Sequence, residues 1–345
     1  MVNGNATHPD TSDLPQVQYL TVVTSTSIFF WLPQHLTTSR RIPALAIQKV
    51  VIPIAGLGTR LLPTTKALPK EMLPVGRIPV IQHVVEELVN AGLTRLLFVT
   101  SRTKTIIENQ FDNSTSLIRH LDASGKLDEL GDFDYKKRGI EFFYSRQQAD
   151  PGATAPGGTG EAILAGESFV GHEPFVVAYG DTIIRSPESP SFIERLISAH
   201  DEAKAAVTIG VRPVPEQQIP LYGIVRPAPG ERSEGTFQID AIIEKPTIAE
   251  APSNMAVSAR YVFAPGVFDR IRESATDDAE QGITGAIQLT LERGERVQAV
   301  ALNPGEERHD IGNHESYYKS FIDFALDDPE CGDIIRKYIQ EKGSA

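Results

Sequence analysis

The feature that most constrains this chain is an alternation of apolar runs with amphipathic stripes, beginning just after Gln48. "KVVIPIAG" (49–56) runs apolar to a closing glycine, the pattern of a strand buried on both faces. "VIQHVVEELVNAG" puts Val80, Val84, Val85 and Leu88 on one helical stripe and ends at Gly92, a C-cap glycine. "RLLFVT" (95–100) is the next buried strand. Strand, helix and strand in close succession make a βαβ unit, whose right-handed crossover gives parallel sheet.

The alternation continues. "GIEFFYSR" (139–146) and "PFVVAYGD" (174–181) read as strands, "GTGEAILAGESF" (158–169) as a helix entered through glycine, and "PSFIERLISAHDEAKA" (190–205) as another helix. After the strand "AAVTIGVRPV" (205–214), β signals gather in "LYGIVRP", "FQIDAIIEKP" and "VSARYVFAP". Helix returns in "HESYYKSFIDFAL" and "DIIRKYIQEK". The expected class is therefore α/β: an open, Rossmann-like mixed sheet, mostly parallel, with helices on both faces and a small β-rich part. "QQADPGATAPGGTG" (147–160) reads as a mobile loop.

A chain of 345 residues holds one large α/β domain or two medium ones. The expected division is an N-terminal arm over 1–46, poorly ordered and polar apart from a short apolar run, a catalytic domain over 47–326, and a C-terminal helix over 327–345. The apolar run of the arm lacks the basic segment that precedes it in a signal peptide and is too short and hydroxyl-rich to span a bilayer. A single cysteine, Cys331, excludes an internal disulfide and fits a reducing cytoplasm. The eight histidines have no metal-site spacing. A net charge of −12 argues against nucleic-acid binding, yet leaves room for a local positive pocket.

Ligands in such sheets bind at the carboxyl ends of strands, which singles out four places. The first is the loop after Ile54. Its "GLGTR" (56–60) is neither a Walker A motif nor a dinucleotide fingerprint. Even so, Gly56 and Gly58 let backbone N–H groups approach a phosphate, Arg60 offers a planar fork, and Lys70 a compact charge. Taken alone, "GLG" is a tight turn; with Arg60, Lys66 and Lys70 and the restricting prolines 63, 69 and 74, the run reads as a polyphosphate cradle. The other places are the strand end at Gln147, the aspartate Asp181, and the pair Glu244–Lys245. Each has a plainer alternative: a solvated strand end, a turn aspartate and an exposed ion pair.

"AGLGTRLLPTTKALPKEMLP" (55–74) closely resembles the signature of the bacterial UTP–glucose-1-phosphate uridylyltransferases, a branch of the sugar nucleotidyltransferases. The resemblance covers roughly residues 49 to 326. "FDNSTSLIRHLDASGKLDEL" (111–130) is similar to the helical insertion of that branch, which thymidylyltransferase relatives lack.

The resemblance implies the nucleotide-diphospho-sugar transferase fold, transfer of a uridylyl group from UTP to glucose 1-phosphate, and a Mg²⁺ cofactor. It also assigns roles. Arg60 and Lys70 neutralise the triphosphate; Ala55, Gly56, Gly58 and Glu71 lie near the nucleotide. Gln147 and Gly158 meet the uracil, which suits an amide able both to donate and to accept. Tyr222, Gly223 and Glu244 face the sugar, and Lys245 grips its phosphate. Asp181 and Asp310, the latter in "ERHDIGN", share the metal ion, which prefers hard oxygen ligands. The expected partners are the two small substrates and further copies of the chain, as a dimer or tetramer, with no nucleic acid and no membrane.

Some positions depart from the pattern. Ala259 stands where the family has glycine near the sugar, and "AYGDT" differs in detail while keeping its aspartate. "GAIQLT" lacks a following acid, and the 290–297 segment is short, which implies a trimmed helix. Rival readings are the same chemistry with dTTP or another sugar phosphate, and a weakly active paralogue that binds nucleotide sugars to regulate another enzyme.

Overall fold

A computed structural model describes residues 47–112, 114–127, 134–147, 157–274 and 282–343. The arm expected over 1–46 and most of the loop expected over 147–160 lie outside the described residues. The first half contains β1 (Lys49–Pro53), β2 (Pro74–Val75), β3 (Ile78–Pro79), α1 (Val80–Asn90), β4 (Arg95–Thr100), α2 (Thr105–Phe111), α3 (Thr115–Ala123) and β5 (Glu141–Arg146). There follow α4 (Thr159–Leu164), α5 (Glu167–Val170), β6 (Phe175–Ala178), β7 (Thr182–Arg185), α6 (Phe192–Ala203) and β8 (Val207–Pro213). The last part holds β9 (Gly223–Pro227), β10 (Thr236–Glu244), β11 (Met255–Phe263), α7 (Val267–Ser274), α8 (Gly282–Glu292), β12 (Val297–Ala301), β13 (Glu307–Asp310), α9 (His314–Leu326) and α10 (Gly332–Gly343).

Nine strands form one mixed sheet in the order β5-β4-β1-β6-β11-β8-β12-β10-β9. The quartet β5-β4-β1-β6 is parallel throughout. Beyond it β11 runs antiparallel to both β6 and β8. The β8–β12 pair returns to parallel, while β9 and β10 complete the edge as an antiparallel pair. The chain adds β4 and β5 on one side of β1, then crosses to place β6 on the other side. The crevice opened by that reversal, at the carboxyl ends of β1 and β6, is where such sheets bind ligands.

Alternation along the central strands explains why helices cover both faces. Val50 and Ile52 of β1 enter one apolar core with Phe98 of β4. Val51 enters the other, with Leu97 and Val99. The expected stripe of α1, Val80, Val84, Val85 and Leu88, is wholly buried in the first core. Gly92 closes that helix region with φ +88. On the same face, α6 starts in a capping box, in which Glu194 N–H donates to Ser191 Oγ and Ser191 N–H to Glu194 Oε2. α4, α7 and α8 cover the second face through Ile163, Ile271 and Ala286.

The single helix expected over 158–169 is two, α4 and α5, separated at Gly166. A Cβ at Gly166 would come within 2.9 Å of Val51 and 3.3 Å of Leu97. The break lets the backbone press onto the sheet, which a helical stripe read from the sequence does not reveal. The 290–297 segment, expected to be short, holds the end of α8, a turn through Gly294 at φ +71 and the first residue of β12. Among the described residues no helix is long and apolar enough to cross a membrane.

Candidate active site

The loop after β1 leaves the sheet at Ile54, whose N–H donates to Val99 O. Nothing lies within 4 Å of a Cβ built on Gly56, so its backbone faces open space. Gly58 has φ +68, a left-handed conformation that favours glycine, and its carbonyl accepts the Thr65 hydroxyl at 2.8 Å. Three short 3₁₀ turns, Thr59–Leu61, Thr64–Lys66 and Lys70–Met72, then fold the loop back on itself. They bring Arg60 and Lys70 to the wall of a cavity of about 370 Å³, which Ala55, Gly56 and Glu71 also line.

Lys70 Nζ lies 2.5 Å from Asp181 Oδ2, with Asp181 just past the end of β6. Burial opposes charge on Lys70, but Asp181 and Glu71 outweigh it and hold the ammonium above the usual lysine range. Burial likewise would raise Asp181; Lys70, by charge and hydrogen bond, and then Arg308 keep its carboxylate below the usual aspartate range. Glu71 is 1% exposed and takes both its hydrogen bonds at 2.8 and 2.9 Å from Lys104 Nζ. Burial pushes that carboxyl up, with Lys104 acting against it. Lys104, absent from the sequence reading, is thus the counterion that lets an acid sit beneath the cradle.

Gln147 follows β5 and is 8% exposed. Its side-chain Nε2 donates to Gly157 O at 2.7 Å and lies 3.3 Å from both Gly158 O and Glu161 Oε2. The amide therefore bridges the ends of β5 and α4, and both Gln147 and Gly158 line the same cavity as Lys70.

The strands β7 and β13 pair antiparallel, with Thr182 opposite Asp310, and Ile311 N–H donates to Asp181 O. This ribbon sets two carboxylates from distant parts of the chain side by side: the Thr182 hydroxyl is 3.4 Å from Oδ1 of Asp181 and from Oδ1 of Asp310. A strut beneath fixes the turn between β6 and β7. Arg260, fully buried on β11, contacts both oxygens of Glu87 at 2.6 and 2.9 Å and donates to Thr182 O at 2.7 Å. Glu87 also accepts from Ile184 N–H. The residue before Arg260, Ala259, has φ +59 and is 5% exposed. The left-handed backbone explains why glycine suits this place; alanine costs about 1 kcal/mol there.

A second cavity, about 750 Å³, shares Arg60 with the first and is lined by Tyr222, Lys245 and Asp310. Lys245 N–H donates to Tyr222 O, joining the end of β10 to the start of β9. Glu244 Oε2 accepts the Thr284 hydroxyl at 2.7 Å. A Cβ at Gly223 would meet that same carboxylate oxygen at 3.0 Å, so glycine leaves the space Glu244 occupies. Neither Gly223 nor Glu244 is among the residues lining the cavity. The structure thus brings together Arg60, Lys70, Asp181 and Asp310 at the seam of two cavities. Arg212, Arg308, Thr182 and the Glu87–Arg260 strut went unread in the sequence. Arg308 alone had a signal there, two residues before Asp310 and on the same face of a strand.

A family model described as nucleotidyl transferase matches residues 49–325. The chain is 38% identical over 300 residues to a UTP–glucose-1-phosphate uridylyltransferase of Staphylococcus haemolyticus, covering 86% of this chain and 99% of that one. Among solved structures it resembles a UTP-bound UGPase from Acinetobacter baumannii, with TM-score 0.77, 31% identity, and coverage of 86% of this chain and 99% of that chain. It also resembles a UDP-glucose pyrophosphorylase complexed with UDP-glucose, with TM-score 0.68, 32% identity and coverage of 81% and 98%.

Proposed function

This chain belongs to the nucleotidyl transferase family, and we propose that it transfers a uridylyl group from UTP to α-D-glucose 1-phosphate, releasing pyrophosphate and UDP-glucose. The observation that carries the reading is the approach of Asp181 and Asp310 to the one Thr182 hydroxyl, beside Lys70. The relative named for this activity, aligned over nearly its full length, supports the choice of substrates.

In this reading the cavity lined by Gly56, Lys70, Gln147 and Gly158 takes UTP, and the one lined by Tyr222 and Lys245 takes the sugar phosphate. Arg60 borders both and faces the junction where the α-phosphorus is attacked. Glu244 and Gly223 shape the sugar end from behind. The attacking phosphate oxygen is already ionised at neutral pH, so no general base is needed. The chain's work is to hold two polyanions in line and to offset charge as pyrophosphate departs. Lys70 and Arg60 do this at the leaving group, and Lys245 on the nucleophile.

The donor set fits Mg²⁺. Asp181 and Asp310 supply hard oxygens, and Mg²⁺ characteristically takes one or two carboxylates and fills its remaining positions from phosphates and water. When bound, the ion offsets charge on the phosphoryl oxygens. The reading carries with it a cytoplasmic homo-oligomer acting on small anions.

Pyrophosphate release measured over UTP and dTTP, each with glucose and galactose 1-phosphate, tests the proposal. The highest kcat/KM is expected for UTP with glucose 1-phosphate. A preference for dTTP defeats uridylyl transfer, and UDP-glucose binding without turnover favours the regulatory paralogue.

A further inference from the structure

Two arginines converge on one tyrosine in the larger cavity. The guanidinium carbons of Arg212, on β8, and Arg308, on β13, each lie 5.3 Å from the centre of the Tyr222 ring. Arg212 Nη2 is 3.4 Å from the Tyr222 hydroxyl, and Arg308 Nη2 is 3.2 Å from Asp310 Oδ1. The Arg308 side chain is only 6% exposed. The Nε atoms of both arginines are buried and have no hydrogen-bond partner among the described residues.

Such an arrangement is costly without an anion. Two guanidinium groups sit close enough that burial and Arg308 together push Arg212 below its usual range. Asp310 is the acid of the cavity wall that contacts either of them. The remaining acids there are engaged elsewhere, Glu315 by Lys319 and Asp323 alongside His309. Lys245, Arg60 and Lys319 line the same wall, which therefore gathers five cations, Lys319 being the one paired with Glu315. Unpaired buried donors with positive charge in a polar cavity fit a ligand rich in acceptor oxygens, and a guanidinium matches phosphate geometry in particular.

We propose that Arg212 and Arg308, ordered around Tyr222, form a clamp for the phosphate of the sugar 1-phosphate, opposite Lys245. The clamp rests on the reading of the reaction above and adds two binding residues to it. The tyrosine ring keeps the two guanidinium groups apart from solvent, through cation–π contact. Arg308, being also bonded to Asp310, holds the nucleophilic phosphate next to the paired carboxylates. The triphosphate is the less suitable occupant, because its cavity lies on the side of Gln147 and Gly157 and shares only Arg60 with this one.

The test is steady-state uridylyl transfer by Arg308→Met, Arg308→Lys and Arg212→Gln, with each substrate varied in turn. Arg308→Met is expected to raise KM for glucose 1-phosphate about tenfold or more, and Arg212→Gln several-fold, with KM for UTP changed less than about twofold. Arg308→Lys recovers part of the loss. Equal rises in both KM values overturn the clamp, as does a loss confined to UTP. In the reverse reaction, weakened pyrophosphate with unaltered UDP-glucose assigns the arginines to the leaving group and also overturns it. Arg212→Gln keeps the test open if Arg308→Met fails to fold. Calorimetric titration of the wild type and Arg212→Gln with glucose 1-phosphate separates the clamp from the reaction: a chain without uridylyl transfer that still loses glucose 1-phosphate binding in the variant refutes the reaction and keeps the clamp.

Discussion

Lys70 and Asp181 satisfy one another, their charged atoms 2.5 Å apart and their side chains 15% and 21% exposed. In the proposed reaction the ammonium thus occupies a carboxylate oxygen that a divalent cation would also need. Metal and nucleotide entry would then be coupled, since phosphates that draw Lys70 away would free Asp181, and such a coupling is reciprocal.

Replacing Lys70 removes that competitor. Lys70→Met is expected to tighten Mn²⁺ binding about tenfold in the absence of nucleotide, from a coupling of the usual size. Paramagnetic resonance titration reads free Mn²⁺ directly, and an unchanged dissociation constant would falsify the competition.

Asp181→Asn is expected to lower kcat about a thousandfold, since charge stabilisation by a metal amounts to several kcal/mol. The rate left should no longer depend on Mg²⁺ concentration, while circular dichroism stays that of the wild type. A variant with ordinary turnover removes Asp181 from the metal site.

Lys245 lines the larger cavity, to which the proposed reaction gives the sugar phosphate. Lys245→Ala should raise KM for glucose 1-phosphate by about tenfold, the size of a charge-assisted hydrogen bond, and leave UTP nearly untouched. Equal effects on both substrates contradict the assignment.

The Glu87–Arg260 strut is buried, with side chains 8% and 0% exposed. Arg260→Met leaves the Glu87 carboxylate without its guanidinium, which costs about 3–5 kcal/mol. Urea unfolding measures the loss. A change below about 1 kcal/mol shows that Glu87 finds another partner or takes up a proton.

Three histidines, His83, His200 and His309, are held by burial below their ordinary value of 6.5. For His309 the carboxylates of Glu307 and Asp323 act against the shift without cancelling it. Between the folded and unfolded values the unfolded chain binds more protons, so stability falls as pH drops below about 6.5. Urea midpoints from pH 7.5 down to 5 are expected to decline, with a shallower slope in His200→Asn. A flat profile refutes the shifts.

The alternation from Gln48 onward carried most of the fold, because buried parallel strands and striped helices leave period and length in the sequence. The cradle was legible for a similar reason: its glycines, prolines and cations are contiguous between Gly56 and Pro74. The break at Gly166 was not, since it depends on what Val51 and Leu97 place opposite. Lys104, Arg212 and Arg260 escaped as well. Each is a cation in an ordinary stretch, and only the packed sheet shows which carboxylate or ring it meets. Gln147 stood out as a strand end, but its bonds to the carbonyls at the start of α4 come from chain folded back to it.

The ribbon of β7 and β13 has a bearing on how the molecule comes into being. A growing polypeptide can lay down the parallel quartet and its phosphate loop early, yet Asp181 waits beside Lys70 without its companion until the stretch bearing Asp310 has emerged and zipped against Thr182. If Asp181 and Asp310 share the metal as proposed, a chain cut short before β13 would keep the phosphate loop yet lack one half of the carboxylate pair.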